Sequence, residues 1–488
     1  MAQLTVRELT FAYEGSYDNI FDDVSFQIDT DWKLGFTGRN GKGKTTFLNL
    51  LLGKFEYRGI IHATEKFQYF PYPVQDRSKL TAAIVEEISP DYQAWQLVRE
   101  LSLLDVKEEV LARPFETLSN GEQTKVLLAA LFLNDNNFLL IDEPTNHLDM
   151  KGRDIVSHYL NSKKGFILVS HDRAFLNGCV THILSINKAN IEIHRGNFSS
   201  WWDNKKLKDE FEFAENEKLK KEIKRLEKTA REKAEWSDKI EATKIGNHVY
   251  DRGAVGAQAA RVMKRSKAIE HRVNIAMEEK SALLKNIDYA SDLKITQLPY
   301  HKTRFLHMTE VAISYGEKTV CENFSIEINQ GDRVALTGKN GCGKSSILKL
   351  IIGENITHTG EVAIGSGLKI SYVSQDTSFL AGNLTDYARE CAIDESLFKA
   401  ILRKLDFLRI QFEKDMRDFS SGQKKKVLIA RSLCEKAHLL VWDEPLNFID
   451  VLSRIQIENL LLEYKPTILF VEHDSVFCEK IATRVCDM

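Results

Sequence analysis

The chain has 488 residues, 28% of them Asp, Glu, Lys or Arg, and a net charge of −3. That length accommodates two or three domains with sizeable cores, and the near balance of charge excludes a global polycation, so any nucleic-acid contact has to come from a local patch. No run approaches the roughly 18 apolar residues of a membrane span, and the seven cysteines are scattered without metal-ligand spacing, which predicts a cytoplasmic protein in a reducing compartment.

Met1 to Thr10 alternates apolar and charged residues as a strand does and lacks the uninterrupted apolar segment of a signal peptide. Tyr13 follows, either to stack on a base or to pack in the sheet. The strand-like run Lys33 to Thr37 leads into Gly38-Arg39-Asn40-Gly41-Lys42-Gly43-Lys44-Thr45, a glycine, a four-residue spacer and Gly-Lys-Thr, with a helical pattern opening at Lys44. Gly38, Gly41 and Gly43 let backbone N–H groups close around phosphate oxygens, and the positive end of the helix points at the same anion. Lys44 is expected to reach the terminal phosphates and Thr45 to place its hydroxyl on magnesium, with Asn40 and Thr46 in the same cradle.

A mainly helical stretch from about Leu80 to Phe115 precedes Leu118-Ser119-Asn120-Gly121-Glu122, which opens another helix. The pair Ser119 and Gly121 at a helix start is a second anion site, because the hydroxyl and free N–H groups point outward together. The apolar run Phe138 to Ile141 is too short for a helix and reads as a buried strand. Asp142, at its carboxyl end, is placed to hold magnesium, and Glu143 to polarise the attacking water. A further strand, Phe166 to Val169, precedes His171, whose imidazole is expected at the terminal phosphate or the water.

Between Asn204 and about Lys233 the chain is dense in Lys and Glu, with Leu207, Phe211, Ala214, Leu219, Ile223, Leu226 and Ala230 at helical spacing. From Gln258 to about Asp288 the positions Val262, Ile269, Val273, Ala276, Leu283 and Ile287 follow the same rule. This pattern predicts two long helices zipped as an antiparallel pair, with Trp236 to Ala257 as the loop at its far end. Arg261, Lys264, Arg265, Lys267 and Arg272 are offset in their stretch only by Glu270; they form either a solvated face or a contact to RNA phosphates. Trp236, Ile240, Ile245, Val249 and Tyr250 make either a local core or an apolar tip reaching into another molecule.

The chain then repeats itself. Tyr315 matches Tyr13; Gly338-Lys339-Asn340-Gly341-Cys342-Gly343-Lys344-Ser345 matches the first phosphate loop, with Ser346 for Thr46; Ser420 and Gly422 match Ser119 and Gly121; Asp443-Glu444 matches Asp142-Glu143; and His473 matches His171. The offset runs only from 300 (Lys44 to Lys344) to 302 (His171 to His473), so residues 1–200 and 299–488 are two collinear domains around a linker at 201–298. The expected roles double accordingly: Gly338, Asn340, Gly341, Gly343, Lys344 and Ser346 on phosphates, Ser345 and Asp443 on magnesium, Glu444 and His473 in catalysis. Two copies with the same later motifs in the same order exclude a chance match.

Taken together these motifs resemble the ATP-binding-cassette ATPases: Walker A at 38–45 and 338–345, signature turns at 118–122 and 419–423, Walker B at 139–143 and 440–444, switch histidines at 171 and 473. Two cassettes joined by a charged helical hairpin are similar to the ABC-F subfamily. Glu143-Pro144-Thr145-Asn146-His147-Leu148-Asp149 resembles that subfamily's first Walker B sequence, and Gly196-Asn197-Phe198-Ser199 the entry to its linker. Lys233-Ala234-Glu235-Trp236-Ser237 and Ala260-Arg261-Val262-Met263-Lys264-Arg265-Ser266-Lys267 resemble the Lsa-type branch.

The resemblance implies an α/β protein of two ABC ATPase cassettes, each a P-loop NTPase fold with a helical subdomain. It implies ATP at two sites with Mg2+, sandwiched head to tail within a monomer, so that Ser420 completes the site around Lys44 and Ser119 the site around Lys344. The partner it implies is the ribosome, at large-subunit rRNA and tRNA near the peptidyl-transferase centre. The function implied is ATP-dependent protection from lincosamides, streptogramin A and pleuromutilins, with hydrolysis driving release. The alternatives are a housekeeping ABC-F translation factor, the soluble ATPase subunit of an exporter, and a structural role in DNA repair or chromosome maintenance.

The sequence departs from the family at several points. Gln375 occupies the Q-loop position beside magnesium, but Tyr72 stands at the matching place in the first copy, which argues against equal hydrolysis. Asn120 and Ser421 replace frequent glycines, and Pro445-Leu446-Asn447-Phe448-Ile449-Asp450 replaces Pro-Thr-Asn-His-Leu-Asp. Lys44 to Ser119 and Lys344 to Ser420 span 75 and 76 residues, so no additional arm is expected in the first cassette, nor a basic carboxyl-terminal extension after Asp474.

Overall fold

The computed structural model describes residues 3–14, 19–134, 137–187, 190–242, 252–283, 298–316 and 318–488. In the first half of the repeat, Phe21–Asp29, Gln3–Phe11 and Arg58–Ala63 form a three-stranded antiparallel sheet. A second sheet has the order Lys66–Phe70, Asn137–Asp142, Phe166–Val169, Lys33–Thr37, His182–Asn187, Asn190–Arg195, parallel except for its last pair. The second half repeats the plan: Lys318–Asn329, Arg304–Tyr315 and His358–Ile364 antiparallel, then Ile370–Val373, Leu439–Asp443, Ile468–Val471, Arg333–Thr337 and Arg484–Asp487 all parallel. Strands buried on both faces carry continuous apolar runs; Phe138 to Ile141 and Phe166 to Val169 are all at most 2% exposed.

This order positions the site. Lys33–Thr37 lies inside the sheet with later strands on both sides, so the phosphate loop leaves its carboxyl end at a crevice where the connections part. The loop turns directly into the helix Lys44–Leu51, capped by Gly43 at φ 96°. A Cβ on Gly43 would stand 2.5 Å from Ile20 Cγ2 as well as straining the backbone, so only glycine serves there. The helical subdomains are built on Thr81–Ile88 and Ala94–Leu103 in the first half and on Leu384–Glu390 and Glu395–Lys404 in the second. In the second, Leu384, Phe398 and Ile401 share one core with Trp442 and Phe470 of the sheet, and Trp442 Nε1 donates to Ser432 Oγ at 2.9 Å.

Met1–Ser199 and Ser291–Met488 form one compact unit, and buried charges join its two halves. Arg173 donates through both terminal nitrogens to Glu458, with side chains 5% and 2% exposed, and lies 3.7 Å from Asp474. Arg153 Nη1 donates to Asp172 Oδ2 at 2.8 Å and to the His473 carbonyl at 3.1 Å. Arg173→Ala leaves Glu458 with Lys480 at 3.4 Å as its remaining ion pair among the described residues. Stability is expected to fall by about 3 kcal/mol, and Arg173→Met with Glu458→Met to recover most of it, because removing one partner strands a buried charge whereas removing both does not. Denaturant midpoints of the two variants and the wild type check this.

Ser200–Ala290 is the second unit. Its helices, Phe198–Ala242 and Arg252–Leu283, run further into the expected loop than periodicity indicates, so 236–242 and 252–257 are helical. Ile245, Val249 and Tyr250, and the side chains of Trp236 and Ile240, lie outside the described residues. Ile223, Val262 and Val273 are buried, as their spacing predicts, but Leu207 and Phe211 are 64% and 66% exposed and Ala214 is exposed too. Asn216 is buried instead. At about 100° per residue, Asn216 and Ile223 share one stripe while Leu207, Phe211 and Ala214 fall on the opposite side of the helix; the sequence carries two apolar stripes, and only one is covered. Arg261, Lys264, Arg265, Lys267 and Arg272 are all exposed.

Candidate active sites

Both phosphate loops hold their lysine against their own carbonyls. Lys44 Nζ donates to Gly38 O at 2.6 Å and Arg39 O at 3.2 Å; Lys344 Nζ donates to Gly338 O at 2.9 Å and Lys339 O at 2.8 Å. Burial pushes the Lys44 ammonium below its ordinary range, against the pull of Asp450, Glu143 and Asp142. The next residue reaches across the sheet: Thr45 Oγ1 to Asp142 Oδ2 and Ser345 Oγ to Asp443 Oδ1, each 3.2 Å. Each pair sets a hydroxyl and a carboxylate oxygen side by side at the crevice, a hard-oxygen donor set that fits magnesium. One residue on, Thr46 and Ser346 share hydrogen bonds with the hydroxyls of Tyr13 and Tyr315, at 2.8 and 3.1 Å. Both tyrosines are about half exposed, so they remain open to a stacking ring.

The glutamates differ between halves. Glu143 and Glu444 both adopt positive φ, 49° and 45°, which turns each side chain toward the switch histidine. Glu143 Oε1 is 3.4 Å from His171 Nε2, and Glu444 Oε1 is 3.7 Å from His473 Nε2. Burial, with Asp142 adding to it, pushes Glu143 up to about 8, and Oε1 has no hydrogen-bond partner among the described residues. Burial also acts to raise Glu444, but hydrogen bonds from His473 and Asn447 and the charge of Lys425 hold it below its usual value. Gln375 Nε2 donates to Glu444 Oε2 at 2.9 Å, and Asn447 Nδ2 to the same oxygen at 2.5 Å. At the matching place Tyr72 lines a cavity of about 470 Å³ with Thr124, Asp142 and Glu143. Burial holds the His171 imidazole well below its ordinary range, with Lys44 and Arg454 adding to it.

Signature turn and phosphate loop meet across the halves. Ser119, Gly121, Asn340, Gly343, Lys344 and Gln375 line one cavity of about 1160 Å³, with Glu444 and His473 at its wall. On the other side Asn40 Nδ2 donates to the Phe448 carbonyl at 2.7 Å, and a Cβ on Gly422 would stand 3.0 Å from that amide nitrogen and 2.3 Å from that carbonyl. Both serines cap their helices: Ser119 Oγ accepts from Glu122 N at 3.2 Å and Ser420 Oγ from Gln423 N at 3.3 Å.

The ABC transporter family matches residues 21–146 and 321–447. Over 482 residues the chain is 31% identical to the ribosome protection protein VmlR of Bacillus subtilis, covering 96% of this chain and 84% of that one. It is 28% identical to the ATP-binding protein Uup of Buchnera aphidicola, covering 95% and 77%, and 24% identical to the ABC transporter F family member 2 of Arabidopsis thaliana, covering 99% and 76%. The chain belongs to the ABC-F family. Among solved structures, the archaeal ribosome recycling factor aABCE1, crystallised with the ribosomal stalk protein aP1, superposes with a TM-score of 0.66 at 17% identity, covering 98% of this chain and 87% of that one, a likeness of fold.

An ABC-F ATPase hydrolyses ATP with two cassettes, and no described helix of this one is long and apolar enough to cross a membrane. Sequence reasoning passed over several residues at its sites. Tyr69 donates to Asp142 Oδ2 at 3.0 Å, and Tyr372 hydrogen-bonds Asp443 in the same way; their shared offset of 303, also that of Tyr72 and Gln375, was the available signal. Lys425, Arg153 and Arg173 carry no motif of their own and are found only through the contacts they make, and the bond that Asn447 makes from its motif is likewise visible only in the fold.

Proposed function

We propose that this ABC-F ATPase binds the ribosome in its ATP-bound state and protects the peptidyl-transferase centre from lincosamides, streptogramin A and pleuromutilins, hydrolysis driving release. The observation that carries this reading is the likeness to VmlR, a ribosome protection protein, over 96% of the chain, linker included. The exposed Arg261, Lys264, Arg265 and Lys267 suit RNA phosphates, which are bound by charge largely without regard to sequence. The matches to Uup and to the plant ABC-F protein favour a second reading, a housekeeping translation factor with the same ATPase cycle and no resistance.

Two ATP molecules are proposed, one between Lys44 and Ser420, the other between Lys344 and Ser119. At each site the phosphates draw the lysine off its loop carbonyls, the backbone N–H groups after Gly38 or Gly338 cradle them, and Tyr13 or Tyr315 faces the base. Thr45 with Asp142, and Ser345 with Asp443 and Gln375, hold a magnesium ion, which supplies charge neutralisation of the transferring phosphate. Glu143 and Glu444 orient the attacking water, and His171 and His473 fix the glutamates from the other side.

The Glu143→Gln, Glu444→Gln variant, loaded with ATP, is expected to sediment with ribosomes through a sucrose cushion and to stay in the supernatant without nucleotide. Recovery in the membrane fraction and none on ribosomes would sink the ribosomal reading. Cells carrying the wild-type chain separate the two ribosomal readings by their growth in each of the three drug classes.

A further inference from the structure

We infer that Lys425 is a positioning residue that ties the signature helix of the second cassette to the water-orienting glutamate of the same cassette, so that the site around Lys344 is the fast one; this rests on the reading of Glu444 given above. Lys425 is 2% exposed, and its ammonium donates to three main-chain carbonyls: Ser374 at 2.9 Å, Asp443 at 3.3 Å and Glu444 at 3.1 Å. An ammonium has three N–H groups and no acceptor, so its hydrogen-bonding capacity is filled and its position fixed. Charge-assisted bonds of this kind are stronger than neutral ones, and the main chain on either side moves with them.

What those carbonyls belong to gives the tie its consequence. Ser374 precedes Gln375, whose amide reaches the Glu444 carboxylate at 2.9 Å, and the other two carbonyls are those of the Walker B carboxylates themselves. Lys425 sits on the helix Ser421–Cys434, whose first turn lies against Asn40 of the opposite phosphate loop. One side chain thus joins the helix that faces the Lys44 nucleotide to the residues that act on the Lys344 nucleotide.

Among the described residues the first cassette shows no such link. By the offset that relates Ser119 to Ser420, the residue at Lys425's place is Thr124, while Tyr72 stands for Gln375. Both line the cavity of about 470 Å³ beside Glu143, whose Oε1 has no hydrogen-bond partner among the described residues. Where the second cassette has a bonded ammonium and amide, the first has open space.

The test uses the full chain in a Glu143→Gln background, so that turnover reports the Lys344 site. Lys425→Thr installs the residue that the first cassette already carries at this position. It is expected to lower kcat by about 10- to 100-fold, the scale of a small misplacement of a reacting group, while KM for ATP moves less than about threefold. Lys425→Arg, which keeps the charge and donors, should regain a large part of kcat. Parental kcat in Lys425→Thr overturns the proposal. So does an equal loss in Lys425→Arg and Lys425→Thr accompanied by raised KM and a lower melting temperature, the mark of a cation needed only for folding. Glu444→Gln is run beside them: if it too keeps the parental rate, it is the role of Glu444 that fails, and the Lys425 variants, still compared by kcat and KM, judge the tie separately.

Discussion

With both Glu143 and Glu444 replaced by Gln, ATP turnover is expected to fall by about 100-fold or more while ATP stays bound. In the proposed role the carboxylate orients water in the transition state and does not hold the nucleotide, so its loss acts on kcat and leaves ground-state binding in place. The single variants should be unequal. Glu444 is held by Gln375, Asn447 and His473, whereas Glu143 Oε1 lies 3.4 Å from His171 Nε2 with no hydrogen-bond partner among the described residues, and burial pushes its carboxyl upward. Glu444→Gln is therefore expected to remove most of the turnover and Glu143→Gln a minor part. Steady-state phosphate release with nucleotide retention on a spin column reads both quantities; equal losses from the two single variants would contradict the asymmetry.

Replacing residues 243–251 by a short Gly-Ser bridge is expected to abolish protection against lincosamides and pleuromutilins, returning growth inhibition to that of cells without the protein. ATP turnover should stay within about twofold. The helices that flank this segment contain 45 and 32 residues, and at about 1.5 Å per residue the shorter alone extends roughly 48 Å. On the proposed function the cassettes time the cycle through nucleotide, and this segment acts by altering drug affinity. Full protection by the shortened chain would reduce the segment to a connector and remove the mechanism proposed for resistance.

Much of this protein was legible without coordinates. The phosphate loops, the Walker B strands and the order of motifs are local: a loop that must admit phosphate needs glycines at fixed spacing, and a strand buried on both faces needs an unbroken apolar run. Lys33–Thr37, Phe166–Val169 and Ile468–Val471 accordingly begin and end where their residues indicate. The repeat made the reading firm, because each element had to be recognised twice at offsets that differ by no more than three residues. The family followed from the same motifs.

The tertiary structure alone decided what depends on residues far apart in sequence. That Arg173 is buried against Glu458, 285 positions away, has no periodic signal, since an ion pair between halves leaves no mark on either helix by itself. That Lys425 spends its three donors on Ser374, Asp443 and Glu444 is equally silent in a run of lysines that reads as a solvated face. In the linker helix Phe198–Ala242, periodicity offered two apolar stripes, and only packing chose the one bearing Ile223 and left Leu207 and Phe211 in water. Local chemistry is written residue by residue, whereas the choice among equivalent faces, and the pairing of distant charges, is made by which surfaces the folded chain brings together.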